Sequence, residues 1–75
     1  MKQDLAKQNS HIEKLLGEMN SAFLLENYTS VKYYANKIIQ INKTIMDPYH
    51  ILAQIFDNEQ DFKRLFLVKV KMATI

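Results

Sequence analysis

The sequence predicts an all-α fold: four helices arranged as two antiparallel helix hairpins, a fragment of an α-α superhelix. Three observations predict it. The 75 residues include one Gly and one Pro, too few turn residues for a β-rich fold. Apolar residues recur in steps of three and four, the period of one helical face. The two halves of the chain also match each other, without a gap, at one fixed offset.

The elements follow in order. Residues 1–11 form a polar lead-in whose apolar members are Leu5 and Ala6, readable as a frayed helical start or a tail. Ser10 and Glu13 have capping-box spacing ahead of an apolar run. From there Ile12, Leu15, Leu16, Met19, Ala22 and Phe23 predict a first helix ending near Leu25. Glu26-Asn27-Tyr28 reads as a tight connection, with Asn27 capping the next helix. That helix carries Tyr28, Val31, Tyr34, Ala35, Ile38, Ile39 and Ile41 and closes the first hairpin, residues 12–45. Asn42-Lys43-Thr44 breaks the pattern. Asp47-Pro48 predicts a new start, Asp as cap and Pro at the first helical position, and opens the second hairpin, residues 46–75. Tyr49, Leu52, Ala53, Ile55 and Phe56 mark its first helix. Asp61 caps the last one, which carries Phe62, Leu65, Phe66, Val68 and Met72 to the end of the chain. Phe66 to Val70 has strand-like composition, but no second strand exists to pair with it. All four helices are expected to span about eleven to fifteen residues.

The offset between the halves is 34 residues. Leu15 meets Tyr49, Met19 meets Ala53, Ala22 meets Phe56, and Val31 meets Leu65. Asn27 falls on Asp61 and Tyr28 on Phe62, so caps meet caps and apolar positions meet apolar positions. An unrelated four-helix bundle with chance periodicity is the competing reading.

Composition excludes several classes. Without Cys there are no disulfides, thiolate metal sites or cysteine nucleophiles. A net charge of +2 is too small to argue for nucleic acid by itself. No apolar run approaches the ~20 residues of a membrane helix. Met1 to Leu5 lacks the apolar segment of a signal peptide, so a nuclear or cytoplasmic location is expected. His11 and His50 lie in different helices, without Cys or an i, i+4 partner, so no metal site is expected. Gly17 stands alone inside a helix and builds no phosphate loop. Asp57, Glu59 and Asp61 lack the length and Gly of a calcium loop, and read as capping and solvated groups. No catalytic residue and no cofactor is expected. Lys63, Arg64, Lys69 and Lys71 make the last helix basic. Lys63 and Lys71 are expected to share a face and Arg64 to point elsewhere. This charge keeps one alternative open, a small basic helical nucleic-acid-binding protein.

A 34-residue period is that of the tetratricopeptide repeat (TPR). The second half resembles that family locally: Tyr49, then Leu52-Ala53, then Phe56, with Ala53 at a small-residue position and Asp61-Phe62 opening the next helix. The first half departs from the pattern, with Met19 at the small-residue position and Glu18 where Leu is usual. Lys43 stands where Pro often closes a repeat, and Lys69 occupies a position that is usually apolar.

Two stretches are also similar to repeats in the TPR subunit of transcription factor IIIC (TFIIIC). They are Leu15-Leu16-Gly17-Glu18-Met19-Asn20 and Asp47-Pro48-Tyr49-His50-Ile51-Leu52-Ala53-Gln54-Ile55-Phe56-Asp57. Here Gln60 replaces the usual Gly before the capping Asp. The resemblance implies a nuclear scaffold for RNA polymerase III transcription, with initiation factors as partners. It also implies a groove formed mainly by the first helix of each repeat, with Asn20, Phe23, Leu24, His50, Gln54 and Asp57 facing it. That groove would hold a peptide or helix of a protein partner. Without the lysines that bind chaperone tails, it should be neutral to slightly acidic. Two repeats share one interface, so the last helix is expected to expose part of the face bearing Leu65, Val68 and Met72, and to self-associate or dock on a larger protein.

Overall fold

The computed structural model describes the backbone from Lys2 to Ile75 and the side chains from Ser10 onward. Met1 and the side chains of residues 2–9, including Leu5 and Ala6 of the polar lead-in, lie outside the described residues. The described chain is all-helical: α1 (Lys2–Leu24), α2 (Tyr28–Ile41), α3 (Asp47–Asn58) and α4 (Phe62–Ala73). Each helix packs mainly against its neighbours in sequence, α1 on α2, α2 on α3, and α3 on α4.

α1 is longer than its apolar period predicts, at 23 residues. Lys2-Gln3-Asp4-Leu5-Ala6-Lys7-Gln8 is made almost entirely of good helix formers, so the helix begins well before Ile12. Ser10 therefore lies inside α1 and caps nothing, a correction to the capping-box expectation.

The two intra-hairpin turns have the same geometry. After α1, Glu26 adopts the left-handed region at φ 58°, and after α3 Gln60 does so at φ 58°. The Asn27 amide donates to the Ala22 carbonyl (2.9 Å) and the Glu26 amide to Phe23 (3.0 Å). Thirty-four residues on, the Asp61 amide donates to Phe56 (2.8 Å) and the Gln60 amide to Asp57 (3.1 Å). This 6→1, 5→2 pairing is a Schellman motif, which satisfies carbonyls left open at the helix end. The next residue starts the following helix. Asn27 (φ −87°, ψ 76°) and Asp61 (φ −87°, ψ 74°) each accept from the amide three residues ahead, Ser30 at 3.4 Å and Arg64 at 3.3 Å. A three-residue turn of this kind reverses the chain, so each hairpin is antiparallel.

The α2–α3 connection is built differently. The Asn42 side chain accepts from the Thr44 amide (3.0 Å) and hydroxyl (2.6 Å), and buried Tyr49 donates its hydroxyl to the Lys43 carbonyl (2.9 Å). The expected cap at Asp47 is not formed. Met46 already has helical dihedrals and its carbonyl accepts from His50 at 3.1 Å. The turn thus begins one residue early, and Asp47 sits in the first turn, where its charge still suits the helix dipole.

Ile12, Leu15, Met19 and Ala22 of α1 share one core with Val31, Ala35 and Ile38 of α2, Tyr49, Leu52, Ile55 and Phe56 of α3, and Val68 of α4. α2 is the common wall, and its Val31, Ala35 and Ile38 are all fully buried. Lys32 fastens the wall to the second hairpin. Its ammonium reaches both Glu59 oxygens, at 2.8 and 3.1 Å, and lies 5.5 Å from the centre of the Phe56 ring.

The equivalence of the halves weakens at α4. Leu15 and Tyr49 are both buried, as are Ala22 and Phe56. Tyr28, however, is half-buried against Phe23, with ring centres 6.0 Å apart, whereas Phe62 is 63% exposed. Fully buried Ala35 corresponds to exposed Lys69. The two differences have separate causes. Phe62 has Asp57 at the position where Tyr28 has Phe23, and Ala35 lies on a helix packed against both α1 and α3, whereas Lys69 lies on one packed mainly against α3. The uncovered face is not the one expected. Val68 is buried and Leu65 and Met72 are half-buried against the core. The exposed apolar stripe is Phe62, Phe66 and Val70, spaced at i, i+4 and i+8. α4 itself ends at Ala73, where the Thr74 hydroxyl donates back to the Lys71 carbonyl at 2.9 Å.

Candidate functional site

α1 and α3 lie on either side of a shallow groove of about 360 Å³, lined by Met19, Asn20 and Phe23 from α1 and Asp47, His50, Ile51 and Gln54 from α3. On each helix the lining positions are three or four residues apart, so they fall on one face. Met19 and Ile51 are buried and form the floor, while Asn20, His50 and Gln54 stand exposed at the rim. Phe23 is half-buried, held from behind by Tyr28.

Of the six residues expected to face a groove, four are brought together here: Asn20, Phe23, His50 and Gln54. Leu24 and Asp57 are not part of its lining. Each lies at the far end of its helix, rotated from the groove axis by about a quarter turn at ~100° per residue. Leu24 points into solvent at 82% exposure. The sequence pattern missed Asp47, the one carboxylate in the lining, because that residue reads as a helix cap and not as a wall.

No protein-family model matches the chain, and comparison with curated proteins and with solved structures likewise gives no match.

The groove offers hydrogen-bonding groups over an apolar floor: an amide on each side, an imidazole and one carboxylate. Such a lining suits reversible contact with a polypeptide, whose amides and apolar side chains need both features. Among the described residues no group of three His, Cys, Asp or Glu is placed to hold a metal ion. His11 and His50 are both exposed and on different helices. Of the acidic trio Asp57, Glu59 and Asp61, at the end of α3 and beyond it, Asp61 caps α4 and Glu59 pairs with Lys32. No helix is long and apolar enough to cross a membrane among the described residues.

The basic residues of α4 are arranged otherwise than their sequence order suggests. Arg64 and Lys71 line the same valley between α2 and α4, and Lys63 is not in it. Seven residues make nearly two full turns, so these two stand on one face and Lys63 lies about a quarter turn away. Aromatic residues divide between core and surface: Tyr49 and Phe56 are buried, Tyr28 and Tyr34 half-buried, and Tyr33 exposed with its ring edge-on to Tyr34 at 5.4 Å.

Proposed function

We propose that the chain is a non-catalytic protein-interaction scaffold of TPR type that holds a peptide or helix of a protein partner along the α1–α3 groove. The observation that carries this reading is the recurrence of one turn, with the same φ, cap and hydrogen bonds, at an offset of 34 residues. That offset is the TPR period, and an array of such hairpins forms a surface for extended ligands. The finer reading is a piece or reduced form of the TPR subunit of TFIIIC, acting in the nucleus with RNA polymerase III initiation factors. It rests on the residue pattern of 15–20 and 47–57.

The stripe of Phe62, Phe66 and Val70 supports a second contact, by self-association or by docking on a larger protein. The corresponding α2 positions are Tyr28, Lys32 and Asn36, of which Lys32 reaches Phe56 of α3 and Glu59 just after it, so the stripe lies on a side that in α2 meets the next helix.

The test is affinity purification from the native cell with the wild-type chain and with His50→Glu/Gln54→Glu. Both positions are exposed, so helicity by circular dichroism should not change. Polymerase III factors should co-purify with the wild type and be depleted with the variant. Equal recovery with both would remove the groove from the reading, and recovery of unrelated proteins alone would remove the TFIIIC assignment. Binding to DNA or RNA that weakens steeply with salt would favour the small basic nucleic-acid binder instead.

A further inference from the structure

A second groove runs along the opposite side of α3. Tyr49, Leu52 and Phe56 face it, whereas His50, Ile51 and Gln54 face the α1–α3 groove; at ~100° per residue the two sets are about half a turn apart. This second groove is the valley between α2 and α4. It comprises a cavity of about 270 Å³ and an adjoining one of about 430 Å³, which share Ile39, Tyr49 and Lys71 as walls. Both volumes suit side chains of a ligand, not a whole helix.

Its floor is apolar: Ile39, Leu52, Phe56, Leu67 and Val68. Its charged lining has one sign. Lys32 and Arg64 stand at one end, Lys71 in the middle and Lys43 at the other, and no Asp or Glu side chain lines either cavity. Lys32 is paired with Glu59 and Arg64 with Asp61, at 2.8 and 3.5 Å. Lys43 and Lys71 form no ion pair among the described residues.

We propose that the α2–α4 valley is a docking site for an acidic, apolar segment of another protein, its aliphatic or aromatic side chains seated between Leu67 and Ile39 and its carboxylates on Lys43 and Lys71. Charge complementarity selects the occupant. An apolar floor favours a ligand that buries hydrocarbon, and a rim on which Lys43 and Lys71 form no ion pair among the described residues disfavours basic segments and favours acidic ones. Nucleic acid fits less well. A phosphate chain leaves the apolar floor unfilled, and two of the four cations already hold carboxylates. This surface is separate from the α1–α3 groove, so it stands or falls independently of the scaffold reading given above.

A displayed library of random dodecapeptides, selected against the full chain, tests it. Enriched peptides should combine Asp or Glu with two or more apolar residues. Their affinity, measured by fluorescence anisotropy, should fall about tenfold in Lys43→Gln/Lys71→Gln, from two exposed ion pairs. It should fall again as NaCl rises from roughly 0.05 to 0.5 M. Leu67→Ser should weaken binding, and Thr29→Ala, at an exposed position outside both grooves, should leave it unchanged. All three variants replace exposed side chains, and circular dichroism checks that each remains folded. The proposal is overturned if no peptide is enriched, if enriched peptides are neutral or basic, or if the lysine variant binds them equally well. It is also overturned if oligothymidylate displaces the peptides and binds more tightly, which would assign the valley to nucleic acid.

Discussion

Replacing Gln60 and Glu26 by Gly, singly and together, probes the feature that makes the two hairpins alike. Both residues hold φ 58°. A side chain in the left-handed region costs roughly 1–2 kcal/mol. Both side chains are exposed and neither forms a hydrogen bond among the described residues, so their removal forfeits little. Gly costs about 0.5–1 kcal/mol more backbone entropy on folding than a residue with a side chain. The difference leaves a gain of about 0.5–1 kcal/mol per site. For a chain of this length that is a rise in Tm of about 2–8 °C. The sites are a full repeat apart and share no partner, so the double variant should show the sum. Thermal and urea unfolding followed by circular dichroism measure all four proteins. If either Gly destabilises, or the two single effects differ by more than about 0.5 kcal/mol, the turns are not equivalent and the repeat argument fails.

Four further outcomes are expected. Gly17→Ala should stabilise the chain by about 0.5–1 kcal/mol, since Gly17 is exposed inside α1 and a Cβ there meets nothing within 4 Å; urea unfolding measures it. A double-mutant cycle of Lys32→Ala and Glu59→Ala should give a coupling of about 0.2–1 kcal/mol, small because both side chains are about one-third exposed. Lys69→Ala removes an ammonium from beside the exposed stripe of α4, and sedimentation should then show a larger share of dimers or higher species. Glu18→Gln should lower the Tyr34 phenol pKa, which the nearby Glu18 carboxylate raises, because removing a negative charge favours the phenolate; ultraviolet titration follows it.

Local chemistry made much of the fold legible. Asn27 and Asp61 announce themselves as caps because each precedes an apolar run, and the helix starts at Tyr28 and Phe62 follow. The offset of the halves is visible because the same turn needs the same residues in the same places. What sequence left open depends on neighbours. The apolar period of α1 begins at Ile12, yet helix propensity carries the backbone further toward the N-terminus. Apolar residues on two sides of α4 do not reveal which side meets α3, so Val68, expected on a partly exposed face, is buried and Phe66 is exposed. Likewise Asn20, Phe23, His50 and Gln54 share a groove because α1 and α3 adjoin there. Leu24 and Asp57 extend past it, which depends on helix rotation that a residue pattern alone does not specify. Arg64 and Lys71 share a wall for the same geometrical reason.

Packing of each helix chiefly on its sequence neighbours also shapes how the chain gains and loses structure. Few distant segments must meet before contacts form, so the barrier carries little loop-closure entropy and refolding should be rapid. Opening need not involve the whole molecule at once. α4 is held from one side only, so its amides should exchange with deuterium soonest in the second hairpin, whereas those of α2, flanked on both sides, should persist until global unfolding. The middle of the molecule is thereby its slowest-exchanging region, and the terminal helix is the part most readily remodelled when a partner arrives.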